Sequence, residues 1–287
     1  MLPLYLETIQ RESAITFPMF GSFAIDPPSY FTFLGRNIYF YGVIIACAFL
    51  IGTFYCSRKC SVFGISEDDL YDVLLLLIPL SILGARIYFV LFKLDYYIQN
   101  PLEIIAVWEG GLAIYGGIVT GILVILFVCR RKKISAPAML DLIIIACMLG
   151  QAIGRWGNFI NREAFGAETD IFCRMGLIAK DGSAIFVHPT FLYESLWTFA
   201  GFLFLNHFIS SGSRKYDGQC ILIYFFWYGL GRAWIEGLRT DSLYIGSSNI
   251  RVSQVLSVCL AVFAAAALLI NSKKEHKPED LFVNRNK

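Results

Sequence analysis

Gly154-Arg155-Trp156-Gly157-Asn158-Phe159-Ile160-Asn161-Arg162-Glu163-Ala164-Phe165-Gly166 is the stretch that decides the fold. It follows Met139–Ile153, an apolar run of 15 residues, which is shorter than the roughly 20 residues that a membrane-spanning helix needs. Arginine, asparagine and glutamate supply the missing turns. Charged side chains beside a bilayer core are unfavourable, and they usually face a polar cavity that has a function. The stretch therefore predicts a membrane helix whose end carries a functional site.

The composition is that of an integral membrane protein. Of the 287 residues, 57% are hydrophobic and 16% are charged, and the mean hydropathy is +0.62. Soluble domains carry roughly 25% charged residues, so water-soluble fold classes are excluded. The net charge of +2 is too small to indicate a nucleic-acid partner.

Seven apolar runs have the length of a membrane helix, and they predict an all-α fold of seven transmembrane helices. The runs are about Ile38–Cys56, Leu70–Phe92, Leu112–Cys129, Met139–Ile160, Pro189–Ile209, Cys220–Leu238 and Val252–Ile270. Residues 38–270 then form one seven-helix transmembrane domain. Residues 1–37, rich in aromatic residues and proline, are predicted to form an extracytoplasmic cap, and residues 271–287 a partly disordered cytoplasmic tail.

The distribution of basic residues predicts the orientation. The loops 58–69, 130–138 and 210–218, with the tail after Ile270, contain 13 Lys and Arg. The other side contains eight over about twice the length. Because basic loops stay in the cytoplasm, the N-terminus is predicted outside and the C-terminus inside. The opening stretch then lies at the outer end of the fourth helix.

Tyr228, Arg232 and Glu236 are spaced four residues apart in the sixth run and share one face of a helix. Arg239 extends this stripe. An ion pair that only holds helices together would explain Arg232 and Glu236. However, Arg155, Arg232 and Arg239 together exceed the carboxylates needed for pairing. The pattern favours a site for an anion such as phosphate, which the guanidinium fork binds well.

Other candidate groups give weaker signals. Arg86 lies in the second run, where snorkelling to the interface and a role in the site are both open. The eight cysteines have no disulfide or zinc spacing, and the three histidines are scattered, so no metal site is predicted.

Five motifs together resemble the bacterial phosphatidylglycerol–prolipoprotein diacylglyceryl transferases. Gly154–Gly166 is similar to the family signature Gly-Arg-x-Gly-Asn-Phe-x-Asn-x-Glu-x-x-Gly at every fixed position. The other blocks occur in the family's order and are Tyr41-Gly42, Gly110–Gly117, His188–Glu194 and Tyr228–Arg239. The resemblance covers nearly the whole chain.

The resemblance implies an activity. Members of the family transfer the diacylglyceryl group of phosphatidylglycerol to a cysteine thiol in the lipobox of a prolipoprotein signal peptide. A thioether forms, glycerol 1-phosphate leaves, and no cofactor is used. The resemblance also implies a bacterial plasma membrane location, with the active site on the extracytoplasmic side.

The resemblance assigns roles residue by residue. It implies catalytic roles for Arg155, Arg232, Glu163, Glu236, Tyr41 and Tyr115, and phosphatidylglycerol binding by Arg155, Asn158, Gly166, Arg239 and Arg86. Tyr115 is a departure, because many members carry histidine there. A phenol with a pKa near 10 is a poor base at neutral pH, so Glu163, Glu236 or the lipid phosphate are alternative proton acceptors.

A second hypothesis uses the same arginines differently. A transporter or a binding protein for an anionic lipid would also place guanidinium groups in a membrane cavity. No internal repeat is found in the sequence, which weakens a carrier built from duplicated halves.

Overall fold

The structure is a computed structural model that describes residues 13–21, 23–240, 244 and 250–285. It is mostly helical. The α-helices are α1 (Phe40–Lys59), α2 (Glu67–Phe92), α3 (Leu94–Gln99), α4 (Ile114–Lys132), α5 (Ala136–Asn161), α6 (Thr190–Ser210), α7 (Gln219–Glu236) and α8 (Val252–Ser272). The strands are β1 (Ala14–Thr16), β2 (Ala24–Ile25), β3 (Tyr30–Phe33), β4 (Arg36–Tyr39), β5 (Met175–Ile178) and β6 (Ala184–Val187).

All seven predicted apolar runs form helices, with ends within a few residues of the predicted bounds. Within the described residues, five helical stretches are long and apolar enough to cross a membrane, and they are α1 with the turn that follows it, α2, α4, α5 and α8. These five confirm an integral membrane protein. These helices expose large apolar residues, such as Phe54, Leu75 and Phe263, which are 61–69% exposed. Such exposure is expected for surfaces that contact lipid.

The prediction of an all-α fold is wrong outside the long helices. An antiparallel sheet of order β2-β1-β5-β6 joins the N-terminal segment to the segment between α5 and α6, with Ile15 opposite Leu177. A separate hairpin is formed by β3 and β4. The strands are short, and their pairing is decided by contacts distant in sequence, so hydrophobic periodicity did not reveal them.

The chain divides into two compact units. The first unit comprises Met1–Tyr55, Ile144–Arg214 and Gln219–Glu275, and the second comprises Cys56–Ile143, Lys215–Gly218 and His276–Lys287. A buried cluster lies beneath the four-stranded sheet of the first unit, and its members are Ile15, Phe165, Met175, Leu177, Val187 and Phe191. This cluster fixes the segment that follows α5 against the start of α6.

Close packing of α2 against α4 forms the centre of the second unit. A Cβ placed on Gly84 would lie 2.6 Å from the Cβ of Thr120, and one on Gly116 would lie 2.4 Å from the Cβ of Tyr88. Small residues let membrane helices approach closely. Ser66 caps α2 by accepting a hydrogen bond from the Asp69 amide at 3.1 Å.

The polar tail is ordered through Arg285, contrary to the predicted partial disorder. Two short 3-10 turns, Pro278–Asp280 and Phe282–Asn284, pack within the second unit. The Phe282 amide donates to Asp217 Oδ2 at 3.1 Å. Hydrogen bonds from the Lys277 amide and then from His276 hold the pKa of Asp280 below its ordinary value.

Candidate functional site

Glu194 is the centre of an arginine cluster in the first unit. The residue lies in the first turns of α6 and is 6% exposed. Its Oε1 accepts a hydrogen bond from Arg232 Nη1 at 2.8 Å and another from Arg239 Nη1 at 3.3 Å. Its Oε2 forms an ion pair with Arg155 Nη2. Three guanidinium groups from α5, α7 and the segment after α7 therefore share one carboxylate.

Glu236 is a second carboxylate that holds one arginine of the cluster. Its side chain is 3% exposed, and its Oε2 lies 2.7 Å from Arg232 Nη2, one helical turn away on α7. Ser253 at the start of α8 donates to Glu236 Oε1 at 2.5 Å, and Arg251 donates to the Glu236 backbone carbonyl. Arg232 is thus held between two carboxylates.

Five charged side chains of the described residues meet in this cluster. Arg155, Arg232 and Arg239 are positive, and Glu194 and Glu236 are negative. Buried charged groups depend on partners of opposite charge and on hydrogen bonds. The three guanidinium groups have the charge and the N–H donors to bind an anionic group beside the carboxylates.

The end of α5 carries a second hydrogen-bonded group. Arg155 Nη1 donates to Asn158 Oδ1 at 3.2 Å. Asn158 Nδ2 donates to Glu163 Oε1 at 2.8 Å, and Asn161 Nδ2 donates to the same oxygen at 3.4 Å. Glu163 itself is exposed. The polar residues of the opening stretch thus form a chain from the arginine cluster to an accessible carboxylate.

Arg162 fixes the turn that follows α5. Its side chain is 2% exposed and pairs with Asp26. It also donates to the carbonyls of Ser13 at 2.7 Å and Pro27 at 2.9 Å. Arg162 and Ala164 have φ angles of 53° and 57°, a left-handed conformation that is uncommon for residues with a side chain. Contacts with the N-terminal segment therefore stabilise the sharp turn.

Two glycines of the opening stretch allow close approach. A Cβ on Gly157 would lie 2.5 Å from Cδ2 of Tyr41, so the Tyr41 ring packs directly on the α5 backbone. Gly166 forms an isolated antiparallel bridge with Arg239. A Cβ there would lie 2.6 Å from the Cβ of His188 and 2.9 Å from the Leu238 carbonyl oxygen. Gly166 therefore brings the backbone that carries Arg239 next to the signature.

The arrangement has the chemistry of a phosphate site. Guanidinium groups fixed by carboxylates keep their charge and direct their N–H donors at a planar or tetrahedral oxyanion. Charge that develops on an oxygen during bond cleavage is stabilised most where donors are already oriented. In the described part of the chain, no group of three His, Cys, Asp or Glu side chains could hold a metal ion.

Comparison with known proteins agrees with this chemistry. The model of the family "Prolipoprotein diacylglyceryl transferase" matches residues 28–270. The chain belongs to the prolipoprotein diacylglyceryl transferase family. Phosphatidylglycerol–prolipoprotein diacylglyceryl transferases from Finegoldia magna, Limosilactobacillus reuteri and Bacillus cereus are similar to it.

The similarity to these relatives extends over most of each chain. The Finegoldia magna transferase is 43% identical, over 85% of this chain and 95% of the relative. The Limosilactobacillus reuteri transferase is 44% identical, over 84% and 88%. The Bacillus cereus transferase is 39% identical, over 82% and 88%.

Arg86 of this diacylglyceryl transferase family member lies in the second unit and is 4% exposed. Its guanidinium donates to the carbonyls of Ile104 at 2.9 Å, Gly110 at 2.8 Å and Gly111 at 3.0 Å. A cavity of about 330 Å³ adjoins it and is lined also by Phe89, Lys93, Tyr96, Tyr97 and Glu103. Arg86 therefore organises the backbone of residues 103–111, and its predicted binding of phosphatidylglycerol stays a prediction.

Tyr115 also lies in the second unit, at the start of α4, and it is 53% exposed. Seven predicted site residues and Tyr41 thus lie together in the first unit. Arg86 and Tyr115 belong to the second unit. The seven are Arg155, Asn158, Glu163, Gly166, Arg232, Glu236 and Arg239. The roles predicted for Tyr115 stay predictions.

Sequence reasoning missed Glu194 and Arg162. Glu194 ends the motif His188–Glu194 that contributed to the family resemblance, but a lone glutamate after an aromatic run gives no signal of three cationic partners. One clue was available: the excess of arginine over glutamate in the other motifs is compatible with a further carboxylate as well as with an anionic ligand. Arg162 occupies a variable position of the signature, and its partners in the N-terminal segment are about 135 residues or more away in sequence.

Proposed function

We propose that this protein transfers the diacylglyceryl group of phosphatidylglycerol to the lipobox cysteine of a prolipoprotein signal peptide. The observation that carries the proposal is the cluster of Arg155, Arg232 and Arg239 around Glu194, next to the family signature. The names of the similar transferases support the same donor and the same acceptor.

In the proposed reaction the sulfur of the acceptor attacks the glycerol carbon that bears the phosphate. The carbon–sulfur bond forms as the carbon–oxygen bond breaks, and both electrons of the broken bond leave with glycerol 1-phosphate. Arg155, Arg232 and Arg239 bind the phosphate and stabilise the charge that collects on the departing oxygen. Asn158 orients the head group, and Glu194 and Glu236 hold the arginines.

The thiol proton needs an acceptor, because the thiolate is the nucleophile. Geometry favours Glu163 over Glu236. Glu163 is exposed and accepts only amide hydrogen bonds among the described residues, whereas Glu236 is buried and engaged with Arg232 and Ser253. The lipid phosphate is a further acceptor, and Tyr115 retains a hydrogen-bonding role in the proposal.

The proposal includes seven spans, with α6 and α7 in addition to the five apolar helices. Helices of 21 and 18 residues extend about 32 and 27 Å at 1.5 Å per residue, close to the roughly 30 Å of a bilayer core. Their polar residues Glu194, Arg232 and Glu236 face the cluster, whereas Leu203 and Trp234 are about half exposed. The arrangement of basic loops supports an extracytoplasmic site in the plasma membrane.

The decisive experiment is an assay of the purified protein with phosphatidylglycerol and a lipobox peptide. Mass spectrometry should detect the thioether-linked diacylglyceryl peptide, with release of glycerol 1-phosphate. Arg232→Ala should abolish turnover without removing the protein from the membrane. Arg36→Ala, at an exposed position of the β3–β4 hairpin, is the matched control and should retain activity. Folded protein that forms no product, or that only binds or moves unchanged lipid, would contradict the proposal.

A further inference from the structure

A second polar contact lies on the same helix faces as the arginine cluster. Gln151 precedes Arg155 by four residues on α5, and Tyr224 precedes Arg232 by eight on α7, so each shares a face with its arginine. Gln151 Nε2 donates to the Tyr224 hydroxyl at 2.8 Å. The Tyr224 ring stacks on Tyr228 at 5.5 Å between ring centroids. The contact therefore lies one turn or more closer to the N-terminal ends of α5 and α7 than the two arginines do.

This contact leaves polar atoms unsatisfied. Gln151 Oε1 is buried and has no hydrogen-bond partner within the described ranges, and in the same ranges the hydroxyl hydrogen of Tyr224 has no acceptor. An amide turned the other way would accept from Tyr224 and leave both of its own N–H groups without an acceptor. In either orientation, the pair holds donor hydrogens that the described residues do not use.

Helix association alone does not account for such a pair. A contact that only joins two membrane helices gains most when its polar groups satisfy one another, because each buried group left without a partner is unfavourable. Polar residues inside membrane helices are rare and commonly mark a site for a ligand or an ion. A ligand that brings hydrogen-bond acceptors to this depth would use the remaining donors.

We propose that Gln151 and Tyr224 form a subsite for an ester carbonyl of the diacylglyceryl donor. This inference rests on the proposed function, in which the arginines hold the lipid phosphate. Four residues of α5 separate Gln151 from Arg155, a rise of about 6 Å, and the few bonds between the phosphorus and an ester carbonyl span a comparable distance. The acyl chains then continue toward the middle of the helices. Gln151 and Tyr224 act as specificity-determining residues, since the ester groups take no part in the bond change.

The test compares two donors in the thioether assay. One is diester phosphatidylglycerol, and the other is a diether analogue with the same head group and chain lengths but no carbonyl oxygens. The wild-type protein should prefer the diester by about tenfold in kcat/KM, the effect of one or two hydrogen bonds. Gln151→Leu and Tyr224→Phe should lower the diester rate and bring the ratio close to one, with little change in the diether rate.

Tyr55→Phe is the matched control, because Tyr55 donates to Asn206 Oδ1 at 3.1 Å in another helix–helix contact of the first unit. It should keep the wild-type ratio. Since the ratio is measured within each variant, a lower yield of folded protein does not alter it. The subsite alone would be overturned by either of two results. The wild type could transfer from both donors without preferring the diester, or both subsite variants could keep the wild-type ratio of diester to diether kcat/KM. Absence of transfer from either lipid would overturn the proposed function and the subsite with it.

Discussion

Glu194 determines whether the three arginines act as one site. Each of its carboxylate oxygens contacts guanidinium groups, and the side chain is 7% exposed. Removing one partner from a buried charge network leaves the others without compensation. The arginines would then repel one another, and their donors would lose the common direction that phosphate binding requires.

We therefore expect Glu194→Gln to lower kcat by about a hundredfold, because misplacing oriented groups has effects of that order. The loss should appear mainly in kcat, since three cationic groups still attract the lipid. Steady-state assays with varied phosphatidylglycerol measure this division. Glu168→Gln, an exposed carboxylate of the first unit, is the control. Wild-type kcat in Glu194→Gln would show that the arginines need no shared carboxylate.

Among the helices, α5 depends on its glycines as well as on its charged residues. Gly157 permits the Tyr41 ring to lie on the helix backbone. Around Gly150, no described atom apart from the adjacent backbone of α5 and the two neighbouring residues lies within 4 Å of an ideal Cβ position. Glycine is intrinsically less favourable in helices than alanine. Gly157 therefore allows a close contact with Tyr41, whereas the described residues make no such contact with Gly150.

The two glycines give a matched pair of substitutions. Gly157→Ala should displace Tyr41 and lower both transfer activity, by about tenfold or more, and the thermal unfolding temperature. Gly150→Ala should leave activity unchanged and raise the unfolding temperature slightly, because it improves helix propensity by up to about 1 kcal/mol. Activity and thermal unfolding in detergent measure both effects. Equal behaviour of the two variants would contradict the packing role of Gly157.

Helices and strands differ in how far the sequence predicts them. The seven long helices follow from apolar runs, because membrane helices satisfy their own backbone hydrogen bonds within each segment. The pairing of β1 with β5 could not be predicted, since each strand has only three or four residues and depends on a distant partner. In the same way, Arg232 and Glu236 were paired correctly from their spacing, but Glu194 lies on another helix and was found only in the structure.

For the whole molecule, the proposed orientation rests on basic residues in loops. The turn between β5 and β6 should then face the outside, and the loop between α6 and α7 should face the cytoplasm. In a cysteine-free background, Asp181→Cys should react with a membrane-impermeant thiol reagent on intact cells. Ser213→Cys should react only after permeabilisation. Both positions are exposed, so a reversed pattern of labelling would contradict the orientation.

The sheet that joins the N-terminal segment to the segment between α5 and α6 also affects when the first unit can assemble. Thr16 pairs with Gly176, 160 residues further along the chain. At 5–20 residues per second, synthesis of that interval takes on the order of 10–30 s. During this period Ile15 has neither its partner strand β5 nor the rest of its buried cluster. Glu194, Arg232 and Arg239 are synthesised later still, so that a chain interrupted before α6 would reside in the membrane without the arginine cluster.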